Sequence, residues 1–506
     1  MKKSRVEPDH ITFNSLITAC SKTQSLSTGK KLHELVKLSN IDDMKLSTTI
    51  MNFYNKCGQA GRAFEIFSNT AKKDIVSWNC AMESIIALHG TDRSLTFLDE
   101  MQQSGVTPNS FTFSTILTAC AEKQSLSIGK KVHELAKLHN IESIELSNTI
   151  IDFYNKCGQP EVALDVFKEL QKKGKAGVIS WNCAIESMIA LNGIEHAMNY
   201  LDGMKNCGIE ADTVTFTTLF YACSKTKSLE IGKKLHEVVK LGNIESVQLS
   251  TTIMNFYTKC GQPELALALF KELQENGKTE VITWNCAIGA TIELYGIDHA
   301  IELFHKMKQS DIIPDSFTFN ILISACADSV SIIQGKALIE EIRDSNFEED
   351  EIVKSVRIMF YASIGEIDMS ISVFEEMIDS GKYLDTITWN NMLSAFSSHG
   401  GGKESFLLFQ RMVDSNVRPN EQTYTTVLTG LSHAGMVNEA VDFYSKIKNP
   451  SQYHRVTMID VFARAGRMDE AENMISESKD MMGYMTLMGA CRKHNDVKCA
   501  ERIFEN

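Results

Sequence analysis

An all-α solenoid of stacked helix-turn-helix repeats is the fold this sequence predicts, and three observations predict it. A long string recurs about every hundred residues. Each copy divides into three units of roughly 31 to 35 residues. Within a unit, apolar residues fall at helical spacing in two blocks separated by a turn.

The first kind of unit opens as ITFNSLITACSKTQSLSTGKKLHELVKLSNI at Ile11, returns from Phe111 and Val214, and recurs in weaker form from Phe317. We call these the glycine-lysine units. The tyrosine units follow, beginning STTIMNFYNKCGQAGRAFEIF at Ser47 and echoed from Ser147 and Ser250. The tryptophan units complete each triplet: IVSWNCAMESIIALHGTDRSLTFLDEM from Ile75, with echoes from Val178, Val281 and, more loosely, Thr386. Val162, Ala163, Val166, Phe167 and Leu170 step by three and four, as one helical face requires. Lys56-Cys57-Gly58 and Leu88-His89-Gly90 are the expected turns. Two helices of about a dozen residues cannot enclose a core, so neighbouring pairs must stack, giving one concave and one convex wall.

The 506 residues are 43% hydrophobic and 23% charged, which suffices for a continuous core and excludes a disordered chain. With 7 prolines and no Pro/Ser/Gly-rich stretch, no linker or second architecture is expected. No apolar run approaches the roughly 18 residues needed to cross a bilayer, so no membrane partner is expected. The amino terminus, MKKSRVEPDH, is too short for a signal or transit peptide. Its Val6-Glu7-Pro8-Asp9 matches Val106-Thr107-Pro108-Asn109, the end of a unit, so either the reading frame is expected to open in mid-array or upstream sequence is missing.

The 13 cysteines contain no C-x-x-C pair. They recur as Cys20, Cys120, Cys223 and Cys326, as Cys57, Cys157 and Cys260, and as Cys80, Cys183 and Cys286, which reads as small buried thiols in a reducing compartment. Cys491-x-x-His494 with Cys499 mimics half a zinc site; lacking a second half, it is expected to be a packed cysteine beside an exposed histidine. No metal or cofactor is expected. No phosphate-cradling loop or nucleophile elbow is present, and His33, His133 and His236 read as helix-face residues, so no catalysis is expected.

These units resemble the pentatricopeptide repeat family in its plant-type PLS subclass. SWNCAIES with a Pro-Asp or Pro-Asn ending is similar to the P class, GKKLHE to the L class and NFYNKCGQ to the S class. The resemblance covers residues 10–506: four triplets over 10–420, then closing repeats and a first-extension-like motif over 421–506, carried by His433-Ala434-Gly435, ARAGRMDEAENMI and MGACRKHNDVKCAER. The second extension motif and the DYW deaminase domain are not found. The resemblance implies a sequence-selective single-stranded RNA-binding adaptor in organelle RNA processing or C-to-U editing, with any deaminase supplied in trans. It implies a mitochondrion or plastid, the cytoplasm being the alternative.

Repeats that read RNA use two or three side chains per base. Asn79, Asn182, Asn285 and Asn390 stand at one place in the tryptophan units, which close with Asn109, Asp212, Asp315 and Asn420. On propensity alone, such residues are capping and turn choices more often than recognition groups. The resemblance implies that they read bases: a pyrimidine at all four, with uracil where Asn pairs with Asp. It likewise implies purine-reading pairs favouring guanine at Thr48 with Asp74 and Ser355 with Asp385. Asn148 with Gly177 and Thr251 with Glu280 depart from the familiar pairs. Asn14 with Asp43 and Asn320 with Asp350 are readable, but units of that class contribute less in the family, and Ser114 with Ser143 and Thr217 with Ser246 are not assigned.

Val76, Ile179, Ile282 and Ile387, three places before each asparagine, suit either wedges between bases or helix-start packing. Trp78, Trp181, Trp284 and Trp389 replace Phe13 or Phe113 of sister units and are expected in the core. A net charge of -13 is the wrong sign for phosphate binding. Lys30, Lys31, Lys130, Lys131, Lys233 and Lys234 recur in pairs and suit either phosphate contact or a solvated helix face. A protein-interaction scaffold like the tetratricopeptide solenoids is the competing reading, to which an acidic surface is no obstacle.

Overall fold

A computed structural model describes residues 8–39, 43–242, 244, 246–343, 347–381, 384–476, 481–494 and 497–505. Among these lie thirty helices and no strand. The chain divides into two compact units, Met1–Thr252 and Ile253–Asn506, each a stack of helical hairpins. In the first, the opening hairpins are His10–Lys22 with Leu26–Leu38, Met44–Lys56 with Ala60–Asn69, and Ile75–His89 with Asp92–Gln103. The first helix Met44–Lys56 packs on the first helices of the hairpins before and after it, and Ala60–Asn69 lies against its own partner and the next first helix. The result is two layers: first helices abut first helices, and second helices back them. The second unit repeats the plan, with Ser316–Asp328, Glu351–Ser363, Thr386–Ser398 and Glu421–His433 as successive first helices.

Local chemistry sets where these helices begin and end. Asp9, Asp43, Asp74, Asn109 and Asp212 each cap a first helix by accepting the backbone N–H three residues on, as do Asp315, Asp385 and Asn420 in the second unit. Each such cap is worth about 1 kcal/mol. At the other end, Gly90 adopts φ 81°, where a side chain would be strained, and turns the chain into the second helix.

The tryptophans are buried, as their register predicts. Each meets a phenylalanine of the preceding second helix nearly edge to face: Phe67 with Trp78, Phe167 with Trp181 and Phe270 with Trp284 at 4.9 Å between centroids, and Phe374 with Trp389 at 5.1 Å. No indole N–H of the four has a hydrogen-bond acceptor, so packing alone holds them.

The recurrent glycine of the GKK motif has a packing cause. A Cβ on Gly129 would lie 2.1 Å from Phe153 Cζ, and one on Gly29 would lie 2.0 Å from Phe53 Cζ. Phe153 is fully buried and cannot swing aside. Gly129→Ala is therefore expected to lose about 1–3 kcal/mol by overpacking, although alanine favours a helix by about 1 kcal/mol. A urea midpoint equal to or above the parent's contradicts this account of the motif.

Two expectations need correction. Cys20, Cys120, Cys223 and Cys326 are buried, but the other two cysteine series are only half-buried. Cys57 and Cys157 are C-cap residues, so their helix ends reach solvent. Burial still pushes the thiols of Cys80 and Cys120 up to about 12, away from reactivity. His33 and His133 are more than helix-face residues: their Nδ1 atoms lie 2.9 and 3.0 Å from the hydroxyls of Tyr54 and Tyr154, joining one hairpin to the next. Burial pushes His133 down to about 4, so the ring is neutral at physiological pH.

No helix among the described residues is long and apolar enough to cross a membrane. No cluster of three or more metal-ligating side chains occurs among them either. Cys491 and Cys499 are buried, and the His494 side chain lies outside the described residues.

Candidate nucleic-acid interface

The residues paired by sequence spacing meet in space. Asn182, in the helix Val178–Asn192, donates through Nδ2 to Asp212 Oδ1 at 3.1 Å, and Asn285 donates to Asp315 at 3.0 Å. Asn390 donates to Asn420 Oδ1 at 3.2 Å. Asn79 and Asn109 meet through a third residue: the Thr112 hydroxyl donates to Asn79 Oδ1 at 2.7 Å and lies 3.0 Å from Asn109 Oδ1. Two hairpins thus build each cluster, the asparagine from one first helix and the capping Asp or Asn from the start of the next.

Asp212 shows the electrostatics. Partial burial raises its pKa, but the backbone N–H of Thr215 and the amide of Asn182 are among the hydrogen bonds that outweigh it, and the carboxyl sits below its ordinary value. It is an ionised acceptor at neutral pH. Its Oδ1 takes the Thr215 backbone N–H and the Asn182 amide, and the Thr215 hydroxyl oxygen lies 2.9 Å away. Among the described residues no side chain engages Oδ2 or the second amide N–H of Asn182, leaving one acceptor and one donor adjacent.

The tyrosine-type pairs differ. The Thr48 hydroxyl donates back into its own helix, to Met44 O, while Asp74 caps at Ser77 N; no hydrogen bond joins the two. Ser355 receives Asn391 Nδ2 at 3.1 Å, and Asp385 caps at Thr388 N. Ser355 and Asp385 nevertheless share the wall of an open cavity of 520 Å³ with Phe317, Asn320, Ile387 and Asn391. Asn148, whose pairing with Gly177 departs from the family's familiar pairs, is held as the tryptophan-unit asparagines are: Ser180 Oγ donates to its Oδ1 at 2.7 Å.

Val76, Ile179, Ile282 and Ile387 are 52 to 65% exposed, so each projects from its helix start with more than half of its surface open. Sequence reasoning missed their counterparts Ile11, Phe111, Val214 and Phe317, equally exposed two residues after the cap. Counting from the cap rather than from the tryptophan finds them. The paired lysines are not brought to these clusters. Lys30, Lys31, Lys130, Lys131, Lys233 and Lys234 lie on the second helices Leu26–Leu38, Leu126–Leu138 and Leu229–Leu241, whereas every Asn cluster lies on first helices. The cations that share the first helices were overlooked: Lys22, Lys56, Lys156, Lys225 and Lys259, each in a last turn. Eight residues, about 12 Å of helix, part Lys156 from Asn148.

The PPR repeat family model matches residues 73–122, 176–225, 279–328 and 384–433. The PPR repeat model matches 146–174, 250–277, 355–381, 422–449 and 456–481, so the two together cover more than half of the chain. One pentatricopeptide repeat-containing protein of Arabidopsis thaliana is 29% identical over 321 residues, 63% of this chain and 46% of that protein. Another from the same plant, mitochondrial by name, is 28% identical over 322 residues, again 63% and 46%. The chain spans about half the length of the curated relatives it matches. Among solved structures, the pentatricopeptide repeat protein PPR10 from maize aligns with a TM-score of 0.46 and 18% identity, over 100% of this chain and 74% of that one. Its complex with an 18-nt psaJ RNA element gives 0.43 and 19%, over 97% and 73%. Matched repeat by repeat along both halves of its sequence, this chain belongs to the pentatricopeptide repeat family.

Proposed function

We propose that this chain is a sequence-selective, non-catalytic adaptor for single-stranded RNA, built on PLS-type triplets and acting in mitochondrial or plastid RNA processing, with any C-to-U deaminase supplied in trans. The recurring cluster of asparagine and capping Asp or Asn carries this reading, because a protein-binding scaffold has no need to present the same paired polar edge at regular intervals.

At Asn182 with Asp212, and again at Asn285 with Asp315, one N–H donor stands beside one carboxylate acceptor. Uracil presents the complement, a carbonyl oxygen next to N3–H; cytosine puts the N3 lone pair against the carboxylate. At Asn390 with Asn420 the capping Oδ1 is already occupied, so the outward groups are amide donors, which suit the adjacent acceptors N3 and O2 of cytosine. Asn79 with Asn109 is alike. The exposed apolar residues flanking each cluster wedge between successive bases and keep them unstacked. Last-turn lysines of the first helices, rather than the GKK pairs, answer the phosphates.

Selection from a random single-stranded RNA pool tests the proposal. Enriched sequences are expected to carry pyrimidines three nucleotides apart, and Asn182→Ala is expected to erase the preference at one of them only. Unselective binding, or none, favours the protein-scaffold alternative that the net charge of -13 accommodates.

A further inference from the structure

We infer that a hydroxyl at the third residue of the next hairpin's first helix sets the orientation of each reading asparagine, and that leucine or valine in its place leaves Asn14 and Asn320 of the glycine-lysine units without a fixed edge. The inference rests on the RNA-reading role proposed above and adds to it a positioning residue that touches no base.

The pattern holds wherever an asparagine occupies the reading position of a tryptophan or tyrosine unit. Thr112 donates to Asn79, Ser180 to Asn148, Thr318 to Asn285 and Thr423 to Asn390 at 2.7 Å, and Thr215 to Asn182 at 2.6 Å. A hydroxyl has one proton to give. Each threonine also lies 2.9 or 3.0 Å from the cap's Oδ1, a longer approach, and accepts the cap's own N–H. The proton therefore goes to the asparagine. That donor holds Oδ1 inward and turns Nδ2 toward the cap and the exposed side. Reversing the amide would forfeit this short hydroxyl-to-carbonyl bond and set a carbonyl against the Asp212 or Asp315 carboxylate.

Where no asparagine precedes it, the same hydroxyl turns into its own helix start. Ser77 donates to Asp74 O at 2.8 Å, Thr283 to Glu280 O at 2.7 Å and Thr388 to Asp385 Oδ1 at 2.8 Å. Capping therefore does not by itself aim the hydroxyl outward; the asparagine draws it.

After each glycine-lysine unit the third residue is Leu46, Leu146, Leu249 or Val353, all buried. Asn14 and Asp43 are the same residue pair as Asn182 and Asp212, and Asp43 still caps at Leu46 N, 2.8 Å away. Asn14 Oδ1, however, is buried with no hydrogen-bond partner. The site has leucine where the others have the hydroxyl. With no donor to distinguish its two faces, the amide presents no fixed edge to a base.

The test measures binding of four RNAs that differ only at the nucleotide selected opposite Asn182. The parent is expected to prefer uracil over cytosine by about tenfold or more, in the range of one well-made base contact. Thr215→Val, which keeps the shape and removes the hydroxyl, should bring that preference to within about twofold, and Thr215→Ser should restore it. Thr283→Val removes an equivalent capping bond, Glu280 N to Thr283 Oγ1 at 2.9 Å, and should leave the preference opposite Asn182 unchanged. Val353→Thr is the converse: it supplies a hydroxyl behind Asn320 and Asp350 and should create a uracil preference of about fivefold or more at the nucleotide opposite Asn320. If Thr215→Val does not fold, Val353→Thr decides alone. A selective parent whose selectivity survives Thr215→Val, or a folded Val353→Thr that gains none, overturns the inference while the RNA-reading proposal stands. A parent indifferent to the nucleotide overturns both.

Discussion

Trp284→Ala is expected to destabilise the compact unit that contains it by about 3–5 kcal/mol. The indole is 1% exposed and rests edge to face on Phe270 at 4.9 Å. Its N–H makes no hydrogen bond, so the loss is packing alone. Truncation leaves a void between the first helix Val281–Tyr295 and the second helix Pro263–Glu275. Neighbouring hairpins hold both helices, so the site cannot collapse to fill it. Because each repeat touches only its neighbours, the damage should remain local, and urea unfolding followed by circular dichroism should lose cooperativity as well as midpoint. Trp284→Phe, which keeps a ring and forfeits no hydrogen bond, should cost much less. An unchanged midpoint in Trp284→Ala would contradict the core assignment.

Asp212→Asn is expected to move the preference opposite Asn182 from uracil to cytosine, changing the ratio of the two affinities by roughly 5- to 150-fold, the value of about 1–3 kcal/mol of discrimination. The substitution keeps Oδ1, so the cap to Thr215 N and the bond from Asn182 survive. Only the outward atom changes: an ionised oxygen that accepts N3–H of uracil becomes an N–H that donates to N3 of cytosine. The native Asn390 with Asn420 is the same arrangement already present in the chain. Binding of single-nucleotide RNA variants at fixed ionic strength reads the change; a variant that keeps the uracil preference shows that the outward Asp212 oxygen does not meet the base.

The architecture was legible because every unit repeats its helical pattern several times, so chance matches to the period are averaged out. The partners in the clusters were legible too: Asn182 and Asp212, thirty residues apart, occupy fixed registers on successive first helices. What spacing could not supply was direction. The lysines of the GKK motif form an obvious recurring pair, yet Lys130 and Lys131 ride on the second helix Leu126–Leu138, away from the asparagines. Their repetition marks a conserved register within this chain and says nothing about which layer faces a ligand. Val76 and Ile179 were ambiguous for the same reason, since an apolar residue at a helix start packs or projects according to neighbours that a single unit does not specify. Thr215 was hidden by its ordinary appearance: threonine three residues after a capping aspartate reads as a cap, and only the distance to Asn182 shows its second partner. Gly129 shows the opposite case, a residue whose recurrence was plain and whose cause, the Phe153 ring, lay in the next hairpin.

Photocrosslinking tests the geometry most directly. Single-stranded RNA selected by the protein, carrying 4-thiouridine at the position assigned to Asn182, is irradiated and the attached peptides are identified by mass spectrometry. Attachment within the first helix Val178–Asn192, at or beside Ile179, is the predicted result. Attachment confined to second helices such as Leu126–Leu138 would contradict the claim that nucleotides lie along the first-helix layer.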